Sequence, residues 1–269
     1  MIPELFRIGS FSVSPFGVML VLSLLAAYWQ LQRGMRRMGI GDQEDASSLV
    51  FACGFFGILG GKIYYAILVQ DWRMVFDRAG IVWYGCLIVG AVVFVWTVRR
   101  RGLPMARTFD ASGPALALGY GVGRIGCLLV GDDYGVPTDL PWGMKFPRGL
   151  PPTTAGSMRE HFAVEIPASV PDHEVLAVHP TQIYSSLASF AIFAFALWLA
   201  RRVRLRPGAL FASVLGLLSI ERLLVEIIRA KDDRFFGVVT LAQVISALLL
   251  LAVGLYLWRF GWRERGAEA

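Results

Sequence analysis

The chain is a succession of long, continuously apolar runs separated by short polar breaks. A run of about 20 apolar residues can cross the ~30 Å hydrocarbon layer of a membrane as a helix. Such runs fall at approximately 15–32, 48–70, 79–98, 109–130, 181–200, 208–228 and 239–258. They are apolar throughout and do not alternate, which favours helices over the two-residue pattern of a membrane barrel. The fourth is the least regular, because it contains several glycines and an arginine. The pattern predicts an all-α membrane protein with seven transmembrane helices. Residues 1–269 then form one integral-membrane domain.

One connection stands apart. Residues 131–179, between helices four and five, form the only long polar stretch, rich in proline and glycine. Loops of that length are generally functional or disordered. Tyr134, Trp142 and Phe146 favour an ordered segment lying at the membrane surface, a cap over the helices. No internal repeat is visible, which weakens a transporter built from duplicated halves.

Composition agrees with this pattern. The 269 residues are 56% hydrophobic and 17% charged, against about 45–50% and about 25% in soluble domains. That excludes disorder and argues against a water-soluble globule. The net charge of +6 acquires meaning from its placement. Arg33, Arg36 and Arg37 follow the first run; Arg99, Arg100, Arg101 and Arg107 the third. Arg201, Arg202, Arg204 and Arg206 follow the fifth; Arg259, Arg263 and Arg265 the seventh. Positive residues mark the cytoplasmic side. The N-terminus and the 131–179 loop are therefore expected on the periplasmic side and the C-terminus in the cytoplasm. The opposite ends mix Arg7, Arg73, Arg78, Lys145, Arg148, Arg159, Arg229, Lys231 and Arg234 with acids that include Asp232 and Asp233. The excess charge is a topology signal, with no call for nucleic acid. The N-terminus lacks the basic region and small-residue site of a cleavable signal peptide, so the first run is expected to be retained.

The basic residues left inside the runs are Lys62, Arg124 and Arg222. A charge at membrane depth costs roughly 2.5–3.5 kcal/mol on insertion scales, so it needs a partner or a purpose. Arg124 lies in Gly119-Tyr120-Gly121-Val122-Gly123-Arg124-Ile125-Gly126. It either binds phosphate, or snorkels or pairs with an acid. The glycines allow close helix packing or a locally opened backbone facing an anion. Gly121, Gly123 and Gly126 match a dinucleotide fingerprint by accident, since no strand precedes them. Arg222, Glu226 and Arg229 are spaced i, i+4 and i+7, so they share a helix face. They can grip a substrate anion or lock the helix in place. Lys62, behind Gly57, Gly60 and Gly61, either aids phosphate binding or is a snorkelling or paired lysine.

Tyr84 can donate a hydrogen bond to substrate or anchor the interface. His179, at the start of the fifth run, is a candidate base or a helix-entry residue. His161 and His173 read as solvated loop residues. Cys53, Cys86 and Cys127 are odd in number and lack metal-ligand spacing. Asp132 and Asp133 alone are weak evidence for a metal, so neither metal nor cofactor is expected.

Taken in order, these motifs resemble the bacterial phosphatidylglycerol–prolipoprotein diacylglyceryl transferases over most of the chain. The residues are Gly123-Arg124-Ile125-Gly126-Cys127 with Gly131, Tyr134 and Gly135, then Pro141-Trp142-Gly143. His179-Pro180-Thr181-Gln182-Ile183-Tyr184 and Arg222 through Arg229 follow. Weaker echoes are Gly60-Gly61-Lys62, Tyr84-Gly85, Gln243 and Ser246. The resemblance implies transfer of a diacylglyceryl group from phosphatidylglycerol to the lipobox cysteine of a prolipoprotein signal peptide. A thioether forms, glycerol-1-phosphate leaves, and the enzyme resides in the bacterial inner membrane. It implies catalytic roles for Arg124, Arg222, Tyr84 and His179. It implies substrate contacts from Arg124, Gly85, Gly123, Gly126, Asp132, Gln182, Tyr184, Glu226 and Arg229. The site is then expected between helices three, four and six of the bundle, toward the outer leaflet.

The chain departs from the family pattern at several positions. Tyr84-Gly85-Cys86 stands where many members have His-Gly-Gly. Cys127 and Val130 replace two asparagines, and Asp132 is a shorter acid. Phe16 replaces a tyrosine, and Ser185 a glutamate. The rival functions are a non-catalytic lipid- or lipoprotein-binding member of the family, and an anion transporter.

Overall fold

A computed structural model describes residues 5–8, 11–77, 80–162, 164–230, 234–235 and 239–263. Arg78, Lys231, Asp232, Asp233 and Arg265 lie outside the described residues. The long helices are α1 (Pro15–Met38), α2 (Gln43–Val69), α3 (Trp83–Arg100) and α4 (Met105–Val130). A short α5 (Ala155–Phe162) precedes α6 (Thr181–Arg202), α7 (Ala209–Ile228) and α8 (Leu241–Phe260). Hairpins pair β1 (Phe6–Ile8) with β2 (Phe11–Val13), β3 (Met144–Lys145) with β4 (Ala177–Val178), and β5 (Arg234–Phe235) with β6 (Val239–Thr240).

Among the described residues, six helices are long and apolar enough to cross a membrane. The other long one, α7, carries Glu221, Arg222 and Glu226 within its 20 residues. Helix starts follow capping chemistry more than apolarity. α2 begins before its apolar run because Asp42 and Asp45 form a reciprocal capping box. α8 begins at a Thr240–Gln243 capping box, which gives Gln243 a structural role. α1 opens on Ser14, whose hydroxyl accepts from the Gly17 N–H, with Pro15 in the first turn.

α4 is the central helix and packs on α1, α6 and α7; α3 packs on α2, and α8 on α7. The helix is unbroken through its glycines. Of the two roles open to them, close packing is the one the structure supplies. A Cβ at Gly121 would stand 2.8 Å from the Phe190 ring, and one at Gly126 3.0 Å from Met19 Cβ. The arginine-rich ends of α1, α3 and α6 lie where α2, α4 and α7 begin. Arg101 pairs with Glu44 and Asp45 there, each at 3.0 Å. Asp110 of α4 accepts from the Gly208 and Phe211 N–H groups at 2.6 and 2.9 Å, capping α7.

At the other end, residues 131–179 fold around their own small core. Tyr134 and Phe146 were expected at a membrane surface; instead they are 1% and 0% exposed. They stack at 5.6 Å, beside Met158 and Val178. The Tyr134 hydroxyl is satisfied by the Pro151 carbonyl at 2.7 Å. Only Trp142 of the three aromatics remains largely exposed. Backbone bonds fasten this cap to α7: Val136 N–H to Ile228 O at 2.9 Å, and Ala230 N–H to Tyr134 O at 3.2 Å.

Candidate functional site

The site grows from the point where α4 ends. Arg124 lies in its last two turns and is 6% exposed. The helix stops at Gly131, whose positive φ of 72° reverses the chain. Asp133, also at positive φ (56°), then turns back toward the helix. Its Oδ2 meets Arg124 Nη1 at 2.9 Å, and its Oδ1 pairs with Arg229 Nη2. Arg229 Nη1 lies 3.6 Å from Glu226 Oε2, which Arg222 Nη2 holds at 2.6 Å. The result is an alternating chain, Arg124–Asp133–Arg229–Glu226–Arg222, from the end of α4 along α7. The pairing expected of Arg222, Glu226 and Arg229 is therefore present, with Arg229 at the C-cap, one residue past the end of α7.

This network leaves valence unused. Among the described residues, Arg124 Nε and Nη2 have no hydrogen-bond partner. These two nitrogens form the side-on fork of the guanidinium, the geometry that receives two oxygens of a phosphate. Gln182 is fully buried; its Nε2 donates to the Asp132 carbonyl at 2.5 Å and its Oε1 is unpartnered among the described residues. Thr181 Oγ1 fixes the Asp133 carbonyl at 2.5 Å.

The two aspartates behave oppositely. Burial pushes Asp132 up to about 6, and the charge of Asp133 adds to this. Asp133 would also rise on burial, but Arg229 and Arg124 more than offset it and hold it well below the usual carboxylate range. Since Asp132 binds its proton more tightly when folded, its contribution to stability falls as pH rises from about 3.9 to about 6. Asp132→Asn is expected to shrink the pH dependence of the apparent Tm between about pH 4.5 and 7. An identical pH dependence in both proteins sinks that assignment.

Other expected residues fall elsewhere. Tyr84 lies on α3 with its ring edge-on to Trp83 at 5.7 Å. Gly85 packs against α2, where a Cβ would stand 2.4 Å from the Gly60 carbonyl. The expected grouping of α3 with the arginines thus meets a helix that packs chiefly on α2. Gly123 has open space beside it. His179 Nδ1 lies 3.3 Å from the Tyr184 hydroxyl, which accepts from Trp142 Nε1 at 2.8 Å. These residues tie the cap to the start of α6. Lys62 Nζ donates to the Asp77 carbonyl, so it is paired. His161 and His173 are exposed.

Sequence reasoning selected Asp132 and passed over Asp133, the hub. It also passed over Glu221, Tyr120 and Asp110. Acids inside an apolar helix are as costly as arginines, and that signal was available. Cys127, Asp132 and Asp133 offer ligand atoms within 4.8 Å of one another. Each Asp133 oxygen already faces an arginine, so this group belongs to the ion-pair network.

Comparison with known proteins gives a consistent result. The family described as Prolipoprotein diacylglyceryl transferase matches residues 3–259. The chain is similar to the phosphatidylglycerol–prolipoprotein diacylglyceryl transferase of Clostridium tetani, with 29% identity covering 95% of this chain and 96% of the relative. The Vibrio vulnificus (strain CMCP6) enzyme of the same name is 28% identical, over 96% of this chain and 91% of the relative. That of Sodalis glossinidius is 29% identical, over 97% and 93%.

Proposed function

We propose, from the premise that this chain belongs to the prolipoprotein diacylglyceryl transferase family, that its buried arginine network is the seat of diacylglyceryl transfer. The activity is the one its relatives' names carry: phosphatidylglycerol supplies the group and a prolipoprotein receives it. The carrying observation is the side-on fork of Arg124, buried and unmatched beside two further arginines.

The chemistry fits such a fork. The cysteine sulfur of the acceptor attacks the terminal glyceryl carbon. The bond from that carbon to the phosphate oxygen breaks, and glycerol-1-phosphate leaves. Charge builds on the phosphate as diester becomes monoester. Preorganised guanidinium donors in a dry site stabilise that charge more than water would. The same positive field favours the thiolate, the reactive form of a group with an ordinary pKa of about 8.5. Arg222, anchored by Glu226, stands as the second cation. Tyr84 serves as a hydrogen-bond donor, and His179 with Tyr184 sets the cap over α6.

In this reading all seven long helices cross the bacterial inner membrane, α7 with its charges turned toward α4. The shared arginine-rich end supports a cytoplasmic C-terminus, which puts the cap and the site at the periplasmic side. The acceptor is a signal peptide with a lipobox cysteine.

Purified protein incubated with phosphatidylglycerol and a lipobox peptide should yield a diacylglyceryl thioether by mass spectrometry. No product, under conditions where a known relative works, defeats the reading. Lipid binding or anion flux without a thioether would favour a non-catalytic protein or a transporter. In the same assay Tyr84→Phe should lose about tenfold, the worth of one good hydrogen bond. Full activity in that variant makes Tyr84 structural.

A further inference from the structure

Glu221 directly precedes Arg222 on α7 and is only 7% exposed. Its Oε1 is buried and has no hydrogen-bond partner among the described residues. Polar groups surround it from α4, α6 and α7. Ser185 comes from α6, Tyr120 and Arg124 from α4, and Arg222 and Arg229 from α7 itself. Ser185 is fully buried and within reach of both the Tyr120 hydroxyl and the Glu221 carboxylate. Neither Ser185 Oγ nor Glu221 Oε1 is held by a well-formed hydrogen bond. Glu226, on the same helix, also lacks a well-formed hydrogen bond, but Arg222 Nη2 lies 2.6 Å from its Oε2.

A buried carboxylate with an unused oxygen is costly unless something occupies it. Arg124 and Arg229 already hold Asp133, Arg222 holds Glu226, and the fork left open on Arg124 is the one the phosphate takes in the transferase reading. The oxygen is left to take a proton.

We infer that Glu221 accepts the proton of the incoming cysteine thiol, with the Ser185 and Tyr120 hydroxyls beside it. The inference rests on the transferase reading above. The thiol proton passes to a Glu221 oxygen as the sulfur electron pair forms the bond to the glyceryl carbon. The carbon–oxygen electron pair departs with the phosphate. The released monoester then takes the proton from Glu221, which restores the carboxylate and consumes no further reactant.

The test follows thioether formation from phosphatidylglycerol and a lipobox peptide across pH 6–9. Glu221→Gln should lose about 100-fold at pH 7, the usual worth of a general base. It should approach wild type as pH passes about 8.5, where the thiol ionises unaided. A selenocysteine peptide, already ionised at neutral pH, should erase most of the deficit. Glu221→Asp keeps the carboxylate, so it should run slower with the wild-type pH profile. Its profile decides the matter if the Gln variant does not fold. A Gln variant with wild-type rates overturns the inference. So does a loss that neither pH nor the selenol relieves, or a flattened profile in the Asp variant. Wild-type protein that makes no thioether defeats the transferase reading itself, and is told apart by that control.

Discussion

Arg124→Ala is expected to lose about 10³-fold of transfer activity, the scale of removing a preorganised donor from a developing oxyanion. The fold should survive, because Asp133 keeps its second arginine, Arg229. The loss should fall mainly on kcat, since the charge that Arg124 meets grows during the reaction. Arg124→Lys should recover little. A lysine ammonium is a point donor and cannot serve Asp133 with one edge and two phosphate oxygens with another. Arg222→Ala should also lose most activity, but less than Arg124→Ala. Its side chain is 23% exposed, and its guanidinium is partly committed to Glu226 at 2.6 Å. Detergent-purified variants with matched Tm values, assayed for kcat and KM, check this ranking. Turnover unchanged in Arg124→Ala removes that residue from the mechanism.

What the sequence could tell depended on distance along the chain. The helices were legible because apolar runs of span length have few alternatives in a membrane. Their starts were less so, since α2 and α8 begin on polar capping residues. The triad on α7 was legible because one helix face is fixed by residue spacing alone. Asp133 was not. Its place depends on a reversal at Gly131 and a left-handed turn, which only the folded chain displays. The aromatics of the cap misled for a related reason. Tyr134 and Phe146 look like interfacial anchors until the 131–179 segment is seen to have a core of its own. Glu221 required two helices to be brought together. Ser185, which the sequence reading places where the family pattern has glutamate, lies beside that very acid. A departure on α6 and an unexpected charge on α7 thus meet in space, though the sequence lists them as separate oddities.

Asp133 offers the strongest test of how this network is held. Removing it leaves Arg124 and Arg229 facing each other without a carboxylate between them. Breaking a fully buried ion pair by deleting one partner costs about 3–5 kcal/mol. The Asp133 side chain retains 38% exposure, so solvent screening places its loss toward or below the lower end. Asp133→Asn separates charge from backbone: asparagine tolerates the positive φ, so any destabilisation is electrostatic. The apparent Tm should fall by roughly 5–10 °C in both Asp133→Asn and Asp133→Ala, on the usual scale for a chain of this size. Two effects compete for activity. The freed arginines give the phosphate a more positive site, which tightens binding. They also lose the strut that aims the Arg124 fork, and a misplacement of about 1 Å can cost 100-fold. Positioning should win, so kcat is expected to drop while KM holds or falls. If Tm and kcat both stay at wild-type values, Asp133 is a bystander and the network is held by Glu226 alone.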